Sequence, residues 1–147
     1  MMRSLLNLVL VAVSLVATSA AAELPKPLQA APVIEARDIS QLRDHLGQEV
    51  VVTGRVAEAK WSDSGKVMHV RFEGVAAKDF GLASFESTRG QFDRGFGGDI
   101  ASVLTGSTVR IKGTIQPYGG RWEEHKDRVE ILLRWPNQLT ILELGSR

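Results

Sequence analysis

The sequence predicts an all-β fold: a five-stranded Greek-key barrel, with a short helix between its third and fourth strands and another at its N-terminal end. Two matching stretches carry most of this. Val50-Val51-Val52-Thr53-Gly54-Arg55-Val56 returns as Val109-Arg110-Ile111-Lys112-Gly113-Thr114-Ile115, with apolar residues at alternate positions, a glycine fifth and an aliphatic residue seventh. Period-two alternation marks a strand with one buried face. A glycine inside such a strand marks a bulge or tight bend, and two bent strands near opposite ends of a small domain predict a sheet closed on itself. Composition agrees, since 14 Gly and 44% hydrophobic residues in 147 suit one β-rich domain with many turns.

The first 22 residues read as a secretory signal peptide. Arg3 gives a positive start, Leu5 to Ala17 is apolar apart from Asn7 and Ser14, and Thr18-Ser19-Ala20-Ala21-Ala22 supplies the small residues of a cleavage site. The rival reading is an uncleaved anchor, but the apolar run is shorter than the roughly 20 residues that span a bilayer. The expected location is periplasmic or secreted, with no stable membrane span after cleavage. Residues 23–32 hold Pro25, Pro27 and Pro32 and form an extended leader. The barrel domain occupies 33–147.

Within the domain, Ile39 to Gly47 predicts the N-terminal helix, capped by Ser40, with Leu42 and Leu46 on one face and Gly47 ending it. The first strand is Glu49 to Ala59, with Val50, Val52 and Val56 inward. Ser62-Asp63-Ser64-Gly65-Lys66 is its turn. The second strand, Val67 to Glu73, turns Met68, Val70 and Phe72 one way and Val67, His69 and Arg71 the other. The third, Phe80 to Phe85, alternates weakly, which predicts cover on both faces. Arg89 to Gly98 carries four glycines and reads as a flexible loop. Its Gly95-Phe96-Gly97-Gly98 precedes a helix, as an anion-binding turn does, without the Lys-Ser/Thr of a P-loop. Asp99 caps a helical turn through Leu104. The fourth strand is Thr108 to Gln116, with Val109, Ile111 and Ile115 inward, and Pro117 to Trp122 is a loop. The fifth is Arg128 to Arg134, with Val129, Ile131 and Leu133 in register. Pro136-Asn137 breaks it, and Leu139 to Leu144 is a last extended piece on the edge. A helix between the third and fourth of five strands is the OB-fold order, in which the two glycine-bearing strands lie side by side and close the barrel.

Several motifs carry a family resemblance: Gly47-x-x-Val50-x-Val52-x-Gly54-x-Val56, Val70-x-Phe72-x-Gly74, Phe80 to Phe85, and Leu104-x-Gly106-x-x-Val109-x-Ile111-x-Gly113-x-Ile115-x-x-Tyr118-x-Gly120. Glu130-Ile131 followed by Pro136-x-Gln138-Leu139 completes them. From Val33 to Leu142 the chain resembles bacterial secreted OB-fold nucleic-acid-binding domains of anticodon-binding-like type, which also accompany extracellular nucleases. The resemblance implies single-stranded DNA or RNA as partner. These motifs are core and turn residues, specific for fold and weak for ligand. The loop Gly120 to Asp127 is longer and more charged than the family pattern, so no loop contact is carried over.

Single-stranded nucleic acid needs rings for bases and cations for the backbone. OB-folds supply them from strands two and three and the flanking loops. The matching residues are Lys66, His69 and Arg71 from the second strand and its turn, Phe85 from the third, Trp61 before the first loop, and Tyr118, Arg121 and Trp122 in the other. Phe85 fits the core as well as a platform, Tyr118 fits a loop lock, and Arg71 fits an ion pair with a carboxylate such as Glu86. Trp61 and Trp122 stand in polar loops with less core to join.

Other chemistry finds no pattern. Without Cys there is no disulfide, thiol nucleophile or Cys zinc site. His45, His69 and His125 lack metal-ligand spacing, the serines lack a nucleophile elbow, and Glu123-Glu124 reads as a solvated pair. No cofactor and no catalytic activity are expected. Without Arg3 the chain has 17 Lys and Arg against 17 Asp and Glu, so nucleic-acid binding rests on a local patch. The alternative is a periplasmic protein-interaction or envelope-stress module binding a protein or small ligand on the same barrel.

Overall fold

Residues 30–146 are described by a computed structural model. The expected signal segment and most of the expected leader lie outside the described residues. The chain runs β1 (Val33–Glu35), α1 (Ile39–Asp44), β2 (Glu49–Trp61), β3 (Val67–Phe72), β4 (Phe80–Phe85), α2 (Glu86–Phe96), α3 (Ile100–Leu104), β5 (Thr108–Thr114), β6 (Gln116–Pro117), β7 (Val129–Leu133) and β8 (Leu139–Glu143). The five expected strands are β2, β3, β4, β5 and β7. Three short ones, β1, β6 and β8, join them.

The glycine-bearing strands do lie side by side. β2 and β5 pair antiparallel from Glu49–Thr114 to Arg55–Thr108. The second half of β2 crosses to pair with β3, and Ala57 is the extra residue where the register shifts between Val56 and Glu58. The irregularity is therefore past Gly54, not at it. Both glycines serve close packing instead: a β-carbon at Gly54 would stand 2.9 Å from the Phe72 ring, and one at Gly113 would collide with Ile131 of β7.

The closed five-stranded barrel does not form as expected. The ladder is open, in the order β6-β7-β4-β3-β2-β5-β8, with β1 parallel on β2. The free edge of β5 is taken by β8 and that of β7 by β6, so neither is left for the other. The gap is bridged by one side chain. Gln138 Nε2 donates to Lys112 O at 3.2 Å and Leu132 O at 3.1 Å, while its Oε1 accepts from the N–H groups of Arg134 and Trp135. Gly113 permits this close approach of β5 and β7.

Alternation fills the interior as the sequence requires. Val50, Val52, Val56, Met68, Val70, Phe72, Phe80, Leu82, Val109, Ile111, Ile115 and Ile131 are all buried, and the Phe72 and Phe80 rings stack at 5.7 Å. Helix α1 adds buried Leu42, but Leu46 lies exposed beyond its end. Its cap is Asp38, which accepts from Gln41 N, rather than Ser40.

The segment expected as a flexible glycine loop is mostly helix. α2 buries Phe92 and stacks Phe96 against it at 6.3 Å, and Gly97 stops it in a left-handed conformation, φ 72°. Each interior glycine costs a helix about 1 kcal/mol against alanine, and burial of a phenylalanine offsets this. Asp99 caps α3 as expected, accepting from Ser102 N. The cations around the β2–β5 pairing are not left to solvent alone: Arg55 pairs with Glu73 at 3.3 Å and Lys112 with Glu49 at 3.4 Å.

Candidate nucleic-acid interface

The outer face of β3, β4 and β7 follows from their parity. With Met68, Val70, Phe80, Leu82, Val129 and Ile131 inward, the residues turned outward are Val67, His69 and Arg71, Gly81, Ala83 and Phe85, and Glu130 and Leu132. The registers set His69 beside Ala83, Ala83 beside Leu132, and Gly81 beside Glu130. The chain from Tyr118 to Arg128 crosses over this face. Trp122, 58% exposed, stacks on His69 with centroids 5.9 Å apart, and His125 meets the rings of Trp122 and Tyr118 edge-on at 5.4 and 5.5 Å.

Beneath that cover lies an ion pair the sequence reading missed. Arg128 and Glu130 are buried, with Nε and Oε2 3.8 Å apart. Arg128 Nη1 donates to Ala77 O at 3.0 Å, and the Tyr118 ring lies 5.9 Å from the guanidinium. Gly81 makes the room: a β-carbon there would stand 2.5 Å from Arg128 Nη2 and 2.7 Å from Val70 O. The available signals were a glycine at an outward position of a strand covered on both sides, and a glutamate at the outward centre of β7. Burial holds the Glu130 carboxyl above its usual value against the pull of Arg128, and holds Arg128 below its own. His69 is likewise pushed below the ordinary histidine value, first by burial and then by Arg128 and His125.

The eight expected site residues divide. Trp61, His69, Arg71 and Trp122 line one cleft of about 570 Å³, joined by Lys60, His125 and Arg128. Phe85 and Tyr118 line a second hollow of about 460 Å³, which shares His69 with the first. Phe85 is 45% exposed, so it is a surface ring. Lys66 and Arg121 are exposed and line neither hollow. Arg71 does pair with a carboxylate, Glu58 at 3.8 Å rather than Glu86. Trp61 is not a free loop ring: it ends β2, is half-buried against the core, and carries the Arg89 guanidinium 4.5 Å over one face. Arg89 itself is held by Asp99 at 3.3 Å, a contact that exists because α2 is a helix.

Among the described residues no three His, Asp or Glu side chains gather as a metal site, and no helix is long and apolar enough to cross a membrane. The cleft is lined by two indole rings, two histidines and three cations, Lys60, Arg71 and Arg128, together with the carboxylates of Glu58 and Asp63. Such a surface can hold a flat ring and an anionic group together.

No protein-family model matches the chain, and no curated protein matches it. Solved structures do. A protein assigned as an aspartyl-tRNA synthetase from Leishmania major Friedlin is 13% identical over 85% of this chain and 23% of its own, with a TM-score of 0.54. The aspartyl tRNA synthetase from Entamoeba histolytica is 13% identical over 75% of this chain and 21% of its own, with a TM-score of 0.51. An OBody bound to hen egg-white lysozyme is 26% identical over 71% of this chain and 92% of its own, with a TM-score of 0.48. The chain thus spans less than a quarter of the length of either synthetase. With a segment of each it shares an OB-like, mostly β fold, and the likeness extends to the fold alone.

Proposed function

We propose that this protein binds single-stranded nucleic acid on the outer face of β3 and β4, without catalysis, and that it works in the periplasm or outside the cell. The observation that carries the reading is the cleft itself, lined by Trp61 and Trp122 together with His69 and Arg71 from β3 and Arg128. This is the face, between the same two loops, with which OB-folds take oligonucleotides. Rings stack any base, and cations meet the backbone. The two synthetases act on tRNA by name, but at their distance the ligand argument rests on this chain's own residues. The extracytoplasmic location rests on the apolar run Leu5 to Ala17 and the small residues after it.

Near-neutral charge sets the expected strength. Arg71 is partnered, and Glu58 and Asp63 line the same cleft, so affinity should be modest and should fall steeply with salt. Titration of labelled oligo(dT) at low salt, followed by fluorescence anisotropy, tests the reading. Saturation is expected below about 100 μM, the weak end of non-specific affinities, and failure to bind by that concentration overturns it.

A further inference from the structure

Arg128 is buried, with 4% of its side chain exposed, yet its bonding is incomplete. Nη1 is used on Ala77 O, while Nε and Nη2 find no hydrogen-bond partner among the described residues. Those two N–H groups form one edge of the guanidinium, the edge that meets two oxygens of an oxyanion side by side. Glu130 Oε2, at 3.8 Å from Nε, is beyond hydrogen-bond reach. A buried guanidinium with an open edge is costly to keep, and such an exception calls for a physical explanation, of which a bound ion is one. Arg128 also lines the cleft, together with Trp122 and His125.

We infer that Arg128 is the anion subsite of this cleft and takes the terminal phosphate monoester of a nucleotide, either a free mononucleotide or the phosphorylated end of a strand. This rests on the nucleic-acid reading above and narrows it. The interior of a strand needs a row of cations along an open groove. Here Arg71 is paired with Glu58, Lys66 lies off the cleft, and the lining sets the carboxylates of Glu58 and Asp63 beside Lys60. One buried fork suits one concentrated dianion, and the indoles of Trp122 and Trp61 suit the base beside it. Nε and Nη2 are covered in this structure, so ligand entry needs a shift of the Tyr118–Arg128 segment, whose Tyr118 ring lies 5.9 Å from the guanidinium. Glu130 opposes the phosphate. Burial raises the pKa of its carboxyl against the pull of Arg128.

The test is calorimetric titration of the protein with dTMP, with thymidine, and with thymidine pentanucleotides carrying a 5′-phosphate, a 3′-phosphate or two hydroxyl ends. Phosphorylated probes are expected to bind about tenfold or more tighter than their hydroxyl counterparts, as charge-assisted bonds to a buried fork imply. A gap between dTMP and thymidine identifies a free nucleotide as sufficient; a gap confined to the pentanucleotides identifies a strand end. Arg128→Lys keeps the charge and loses the fork, so the gap between phosphorylated and hydroxyl-ended probes closes. Glu130→Gln keeps the shape and removes the repulsion, so the gap widens, and this arm stands even if Arg128→Lys fails to fold. Equal binding of phosphorylated and hydroxyl probes overturns the subsite. If long oligo(dT) still binds in that case, the broader reading survives; if no probe binds, both fall.

Discussion

Arg128 lies over Gly81, in the space a side chain on β4 would fill, with Nη2 where the first carbon would clash. The pairing couples one strand residue to the segment covering the outer face of β3 and β4, because Arg128 also fixes Ala77 and sits under Tyr118. Gly81→Ala should therefore cost about 1–3 kcal/mol, the usual penalty for overpacking. Chemical denaturation measures it. The backbone oxygen of Val70, 2.7 Å from the added carbon, cannot swing aside as a side chain does, so an unchanged midpoint would contradict the geometry.

Trp122 separates binding from stability. It is largely exposed and rests on His69, so Trp122→Ala should leave the melting temperature nearly unchanged. It should cost about 1–3 kcal/mol in oligo(dT) affinity, the worth of one base stack. Trp135 is as exposed, at 59%, but lines a different hollow near the β5–β7 gap. Trp135→Ala should bind as the parent does.

Gln138 holds that gap. Its amide makes four hydrogen bonds, two to the N–H groups of its own turn and one to each facing strand. Gln138→Ala leaves backbone groups of Lys112 and Leu132 short of a partner and should destabilise the fold by about 1–3 kcal/mol. Hydrogen exchange should quicken first in β5 and β7.

The pH dependence has a definite sign. His69 is neutral by preference in the fold, since burial, Arg128 and His125 all lower its pKa. The unfolded chain takes up its proton at a higher pH than the folded one. Stability from this group is complete above the ordinary histidine value of about 6.5 and is lost as pH falls below it. Glu130 slopes the other way: its raised pKa contributes stability below the ordinary carboxylate range that is lost as pH rises through the folded value. Comparing parent with His69→Gln isolates the histidine. Melting temperatures between about pH 8 and pH 5 should fall less steeply in the variant.

Alternation made the strands legible. Every inward position read from β2, β3 and β5 is buried, and the two glycine stretches are neighbours. Glycine count misled twice. It hid α2, whose helical state depends on burying Phe92, and it suggested bends at Gly54 and Gly113, where the need is room for Phe72 and Ile131. Closure depends on which edges β6 and β8 occupy, and nothing local encodes that. Of the residues read as contacts, His69, Arg71, Trp61 and Trp122 line one cleft, and Lys66 and Arg121 do not join them. Arg128 and Glu130 stayed hidden because charged residues at the outward positions of a strand normally face water, and only the fold of the Tyr118–Arg128 segment buries them.

The three tryptophans allow the most direct test of the binding face. Each gives one indole N–H signal in a proton–nitrogen correlation spectrum, and oligo(dT) is titrated in. Trp61 and Trp122 line the cleft and Trp135 does not, so the first two signals should shift in parallel and saturate while the third stays in place. A shift of Trp135 alone, or no indole shift when binding is otherwise detected, would contradict the assignment of the ligand to the face over β3 and β4.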